Sequence, residues 1–114
     1  MNKNNMYPHY SNTGIKFKIS TMIENKVRPA VAISKTGKVN DTIEFYKSSY
    51  KYVEWENPGF LKEHTNNIYC SLVECAWDYP ERYVHLLGFV NENESEYLSE
   101  NLVIYQPPQW KEYY

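Results

Sequence analysis

The stretch "NKVRPAVAIS", residues 25–34, determines how the rest of the sequence is interpreted. The residues after Pro29 form a short apolar run of the kind that is buried as a β-strand. Proline suits the entrance of such a strand, because it donates no hydrogen bond to a neighbouring strand. Arg28 carries a charge that cannot enter the core. We therefore expect a strand over residues 29–34 with a guanidinium held at its mouth.

Length and composition limit the classes of protein that the chain can belong to. Its 114 residues are enough for one domain with a single core and too few for two domains of ordinary size. Cys70 and Cys75 lack the paired spacing of a zinc site. There is no apolar signal segment and no apolar run of about 18 residues. We therefore expect a cytoplasmic protein with free thiols and with no metal, cofactor or membrane contact.

The charges are distributed unevenly along the chain. Residues 1–51 contain nine Lys and Arg against three Asp and Glu, whereas residues 52–114 contain three basic residues against eleven acidic ones. A basic surface can meet phosphates, so this asymmetry favours a nucleic acid as partner. The alternative is ordinary solvated charge in both halves. The composition does not separate the two interpretations.

The N-terminal half has the pattern of a β-sheet. After Gly14, the segment IKFKIS alternates apolar residues with Lys16 and Lys18, which predicts a half-buried strand with its lysines on the other face. The segment KTGK, residues 35–38, predicts a hairpin turn. Strands joined by such short connections predict an antiparallel sheet. The further predicted strands are at residues 29–34, about 41–47 and about 50–56.

The C-terminal half gives mixed signals. Residues 68–77 fit both the strand and the helix period, and we predict a strand. The stretch 79–87 is equally ambiguous, with a DYPE sequence typical of a helix start. Asn91 and Glu94 have the spacing of a capping box, and an apolar stripe follows over residues 97–105, which predicts a C-terminal helix. The whole pattern predicts a small antiparallel barrel or a strongly bent sheet, mainly β within the α+β class, closed on one side by that helix.

Three segments resemble the MazF/PemK-type toxins. KVRPAVAIS (26–34) is similar to the motif in which a basic loop leads into Arg-Pro and a strand. TIEFYKSS (42–49) corresponds to the central strand of that family, and LVEC (72–75) with LLGFVNENESEYLSENL (86–102) corresponds to its late strand and closing helix. The resemblance covers residues 14–105 and implies an SH3-like barrel of the MazF/PemK/CcdB type. The implied organisation is a flexible N-terminal arm at 1–13, a barrel domain at 14–106 and a C-terminal tail at 107–114.

The resemblance also implies a function. Most members of that family are metal-independent endoribonucleases that cleave single-stranded RNA, act as homodimers and are blocked by an antitoxin protein. The CcdB-type toxins share the fold and bind gyrase without cutting RNA. The alternative is therefore an inactive relative that binds a protein or a nucleic acid.

The catalytic residues follow from the same resemblance. The fork of Arg28 matches phosphate oxygens and stays charged, so it would stabilise the reacting phosphate. The hydroxyl of the family falls on Ser48 or Ser49, and Glu24 would accept the 2′-hydroxyl proton or, as we favour, orient Arg28. The residues expected to bind RNA are Lys16, Lys18, Lys26, Lys47 and Trp77.

Each of these roles has a structural alternative. Arg28 can be a loop residue paired with a carboxylate, and the two serines can be turn residues. The second arginine of many family members is missing, because Trp77 and Asp78 occupy its place, which predicts a loss of about a hundredfold in rate. His64 and His85 fall on no family motif, and we expect His85 to be structural. The two cysteines are expected to be small core residues.

Overall fold

The computed structural model describes residues 12–38, 42–46 and 60–108. The four strands form one antiparallel sheet in the order β2-β1-β3-β4. Both helices pack on the same face of this sheet and enclose the main hydrophobic core with it. The elements in chain order are α1 (Asn12–Glu24), β1 (Arg28–Ser34), β2 (Glu44–Phe45), α2 (Phe60–Asp78), β3 (Tyr83–Glu92) and β4 (Ser95–Tyr105).

Helix α1 replaces the strand predicted after Gly14, which was wrong. Its buried residues are Ile15, Ile19, Met22 and Ile23, whose spacing is that of one helical face. Phe17, which completed the alternating pattern, is 71% exposed. The helical repeat prevails because it extends over a longer segment than the alternation does.

Helix α2 likewise replaces the strand predicted over residues 68–77. Its core-facing residues are Ile68, Leu72, Cys75 and Ala76, again at helical spacing. The helix ends at Asp78, where the sequence suggested that a helix begins. Residues 79–82 form the turn after this helix, and residues 83–87 belong to β3, so most of the stretch 79–87 is strand.

Strand β1 confirms the prediction for residues 29–34. It pairs with β3 from Arg28 opposite Phe89 to Ser34 opposite Tyr83, so it lies inside the sheet. Because both of its faces are covered, its sequence is a continuous apolar run and does not alternate.

The segment after β1 agrees with the sequence only in part. Gly37 has a φ of 73°, as the turn prediction required. Within the strand predicted at 41–47, only Glu44–Phe45 is β-structure, as the two-residue β2. The strand predicted at 50–56 lies outside the described residues.

Strands β3 and β4 form a hairpin where a C-terminal helix was predicted. Asn93 and Glu94 have φ values of 53° and 66°, so the chain reverses through a two-residue turn in the left-handed region. Asn91 is paired with Glu96 in this hairpin and does not cap a helix. The prediction of a C-terminal helix was therefore wrong.

The predicted α+β class and the antiparallel sheet are confirmed. The barrel is not, because the described strands form an open sheet whose outer members, β2 and β4, do not pair with each other. The SH3-like topology is not confirmed either.

Candidate functional site

One face of the sheet carries neither of the two described helices, and the exposed strip on this face is the candidate site. Strand register places Arg28 beside Phe89, and Phe89 beside Leu98, on this face. Phe45 of β2 adds a second ring, with its centroid 5.9 Å from that of Phe89. Phe45 and Leu98 are 52% and 40% exposed. We call the set Arg28, Phe45, Phe89, Glu96 and Leu98 the sheet-face strip.

An ion pair lies within this strip. Arg28 Nε donates to Oε2 of Glu96 at 2.8 Å, and Arg28 Nη2 donates to Oε1 at 2.5 Å. The guanidinium also lies over the Phe89 ring, with Cζ 4.8 Å from its centroid. The hydrogen bond from Arg28 holds the pKa of Glu96 below its usual value, against a smaller opposing effect of burial. The charge at the strand mouth is thus matched by a carboxylate from β4, as the alternative interpretation of Arg28 proposed.

A second long-range ion pair involves Lys18, another residue that was predicted to bind RNA. Lys18 Nζ lies 2.5 Å from Oε1 of Glu100, so α1 is also joined to β4. Lys16 lies on the exposed side of α1, and its Nζ is 4.9 Å from the centroid of the Tyr69 ring. Two basic residues of the first half of the chain, Lys18 and Arg28, therefore pair with acidic residues of the second half.

Three of the other predicted site residues lie at or near the C-terminal ends of the two helices. Glu24 is exposed at the end of α1, and Lys26 is exposed in the turn that follows, with a φ of 61°. Trp77 is exposed near the end of α2. Lys47, Ser48 and Ser49 lie outside the described residues.

A buried polar network lies under the same sheet face. The Gly37 N–H donates to Ser34 Oγ at 3.0 Å, Ser34 Oγ lies 2.6 Å from His85 Nε2, and His85 Nδ1 lies 2.7 Å from Asn101 Oδ1. An amide oxygen only accepts, so Nδ1 carries the ring proton and Nε2 accepts from the Ser34 hydroxyl. The network therefore satisfies polar groups on β1, β3 and β4 together.

The order of these groups is that of a nucleophile, a base and an orienting residue. However, Ser34 is 1% exposed and His85 is 0% exposed, so no substrate can reach the hydroxyl. The network is structural, as we expected of His85. No local pattern indicated Ser34 or Asn101, because the network joins residues that are far apart along the chain.

Two further side chains that can ionise, Cys75 and Tyr46, have raised pKa values. Burial raises the pKa of the Cys75 thiol to about 12, so it stays protonated. Burial also raises the pKa of Tyr46, whose hydroxyl donates to Asp78 Oδ2 at 2.6 Å. Both thiols are free, and Cys75 lies in the core as expected, whereas Cys70 is exposed.

The part of the chain that the structure describes has neither a cluster of metal ligands nor a helix suited to span a membrane. No group of three or more His, Cys, Asp or Glu side chains in the described ranges is placed to hold a metal ion. No helix within residues 12–38 and 60–108 is long and apolar enough to cross a membrane.

The molecule is thus a two-layer α+β domain with buried polar groups on the inside and an apolar and ionic strip on one face. The sequence model of the family described as ribulose bisphosphate carboxylase, small chain, matches residues 2–107, so the chain belongs to that family. No curated protein matches the chain.

The family match corrects the functional expectations. The resemblance to MazF/PemK-type toxins was wrong, and with it the endoribonuclease function, the toxin-antitoxin role and the inactive toxin relative. Single-stranded RNA, an antitoxin and a toxin-like homodimer are no longer the expected partners. The catalytic roles of Arg28, Ser48, Ser49 and Glu24, and the RNA-binding lysines, depended on that resemblance and are not carried further.

Proposed function

We propose that the chain is a non-catalytic subunit that binds the large chain of a ribulose bisphosphate carboxylase. The observation that carries this proposal is the family match over residues 2–107, whose description names a small chain. The burial of Ser34 and His85 agrees with it, because a subunit whose role is assembly needs no accessible nucleophile.

We propose the sheet-face strip as the surface that meets the large chain. Aromatic residues and arginine are enriched in protein interfaces, and the strip contains both. The guanidinium of Arg28 is already ordered by Glu96 and Phe89, so little conformational entropy is lost when a partner covers it. The exposed parts of Phe45 and Leu98 supply apolar surface to bury.

Co-expression with the carboxylase large chain of the same genome tests this proposal. We expect a stable complex on size-exclusion chromatography, and we expect Phe45→Ser and Leu98→Ser each to weaken it by about tenfold or more. Phe17→Ser is the matched control, because Phe17 is an exposed ring on the helical layer. Circular dichroism and thermal unfolding of each free variant check that the domain remains folded.

Two results would contradict the proposal. If the folded chain does not associate with the large chain, the subunit function is wrong. If association occurs but Phe17→Ser weakens it as much as Phe45→Ser does, the sheet-face strip is not the contact surface.

Two predictions from the sequence remain as proposals beside this function. We propose that residues 14–106 act as one domain, with residues 1–13 as an arm and residues 107–114 as a tail. We also propose a cytoplasmic location, which the two free thiols support.

A further inference from the structure

The helical layer has a groove on its outer side, between α1 and α2. The groove has a volume of about 440 Å³, within the usual range of ligand sites. Residues one helical turn apart line it from α1, including Lys16, Phe17 and Ser20, and Lys62 and Thr65 line it from α2. The groove thus lies on the side of the domain opposite the sheet-face strip.

Thr65 is the feature that distinguishes this groove from an ordinary gap between helices. The residue is 6% exposed, and its Oγ1 is a buried side-chain oxygen with no hydrogen-bond partner in the part of the chain that the structure describes. A buried hydroxyl without a partner costs free energy, because it has lost its hydrogen bonds to water. Almost none of this oxygen is accessible, so a bound group recovers the loss only when the Thr65 side chain turns its hydroxyl toward the groove.

The charges around the groove indicate the sign of its ligand. Lys16 and Lys62 are both exposed on its lining, and no carboxylate among the described residues lines it. Lys16 is held in position by the Tyr69 ring, at 4.9 Å from its centroid. Two ammonium groups beside an apolar surface favour a ligand that combines a carboxylate with an apolar group.

The exposed ring of Phe17 indicates the size of the ligand. It is 71% exposed at the groove, so it is an apolar surface that a larger partner can cover. The groove is shallow, which suits a segment of polypeptide lying across both helices better than a small molecule enclosed by a pocket.

We propose that the groove between α1 and α2 is a docking site for an acidic, partly apolar peptide segment of a partner protein. An apolar side chain of the segment packs on Phe17, its carboxylates lie beside Lys16 and Lys62, and one of its polar groups pairs with Thr65 Oγ1. The site is independent of the proposed carboxylase subunit function. Because the two surfaces are on opposite layers, the groove stays accessible when the sheet-face strip is covered.

Selection from a displayed library of random 12-residue peptides on the immobilised full chain tests this proposal. We expect enriched peptides that combine Asp or Glu with Leu, Phe or Trp. Their affinities are then measured by fluorescence anisotropy with synthetic copies. Lys16→Gln and Lys62→Gln should each weaken binding by about two- to fivefold. Phe17→Ser should weaken it by about tenfold, and Lys35→Gln, an exposed lysine outside the groove, should leave it unchanged.

Thr65→Val gives a measurement that a merely structural role would not produce. Valine has nearly the same shape without the hydroxyl, so the free domain should unfold at a higher temperature while peptide binding weakens by about three- to tenfold. A stabilised variant that also loses affinity separates ligand contact from misfolding.

Three outcomes would overturn the proposal. The first is a selection that yields no enriched peptides, or only peptides without acidic residues. The second is that the enriched peptides bind the Lys16→Gln, Lys62→Gln double variant as tightly as they bind the native chain. Alternatively, phenylacetate, a small apolar carboxylate, can saturate the groove in titrations followed by Thr65 amide shifts while no peptide binds, which would make it a small-molecule site.

Discussion

The substitution Ser34→Ala tests the buried network that joins three strands of the sheet. The hydroxyl accepts from the Gly37 N–H and donates to His85 Nε2, so its removal leaves two groups without their partner. His85 is fully buried, and water cannot replace the lost donor there. Gly37 is half-buried, and water can replace the lost acceptor in part.

The two losses give the expected magnitude. An unpaired buried acceptor costs about 1–3 kcal/mol, and a hydrogen bond that water partly replaces contributes about 0.5–1 kcal/mol. We therefore expect Ser34→Ala to lower the free energy of unfolding by about 1.5–4 kcal/mol, a large share of the roughly 5–15 kcal/mol of a typical domain.

Urea denaturation followed by circular dichroism measures this change. The midpoint should fall while the slope of the free energy against urea concentration stays constant. Ser99→Ala is the matched control in the same sheet, since its exposed hydroxyl donates a longer bond, 3.3 Å, to the Gly88 carbonyl. The control should cost less than about 0.5 kcal/mol. If the two variants differ by less than that amount, the hydroxyl of Ser34 is not a necessary partner of His85 and our reasoning about the network is wrong.

Two further predictions concern the charged strip and the turn after β1. Because the folded-state pKa of Glu96 is lowered by Arg28, the stability that the pair contributes should be fully present above the unfolded-state pKa of glutamate and should be lost as the pH falls through the lower folded-state value. A double-mutant cycle with Arg28→Gln and Glu96→Gln should give a coupling of about 1 kcal/mol at pH 7 that declines in acid, and a coupling that does not depend on pH would refute the pairing. Gly37→Ala should lower stability by about 1–3 kcal/mol, because φ is 73° and the new Cβ would lie 2.6 Å from the Tyr83 ring. Gly14→Ala, on the exposed side of α1, is the control and should be neutral or stabilising by up to about 1 kcal/mol in thermal unfolding.

The sequence was sufficient for elements whose signal is local. Strand β1 was predicted because a short, continuous apolar run is typical of a buried strand, and a proline is tolerated at the start of a strand. In α1 the correct signal was also present, since Ile15, Ile19, Met22 and Ile23 have helical spacing. The alternation of Ile15, Phe17 and Ile19 also fits the period of a strand, so the shorter pattern favoured the wrong element.

The C-terminal hairpin shows a different limit. Asn91 and Glu94 have the spacing of a capping box, yet Asn93 and Glu94 take the left-handed conformation of a tight turn. Both motifs use the same polar residues, so the local sequence did not distinguish them. The pairing of β4 with β3, which buries the end of β4 against the helical layer, decides between them.

The candidate site was predicted least well, because its contacts join distant parts of the chain. The uneven charge distribution suggested a nucleic acid, but the fold places basic α1 and β1 near acidic β4, where Lys18 meets Glu100 and Arg28 meets Glu96. Some of the charges that are unevenly distributed along the sequence therefore pair with each other within the protein. A toxin motif built around Arg28 was consistent with the local residues, and the family match overturns it. The pairing of Arg28 with Glu96, 68 positions later, could not be predicted from the local sequence.

Strand β4 also affects how the domain behaves at high concentration. Among the described strands it pairs with β3 alone, so its other edge has no strand partner in the part of the chain that the structure describes. The β3–β4 hairpin also carries four carboxylates, of which Glu96 and Glu100 pair with Arg28 and Lys18, so the unbalanced negative charge lies at Glu92 and Glu94 beside the turn. Two copies that approached edge to edge would bring these like charges together. The acidic composition of this segment thus protects the domain against aggregation by strand addition.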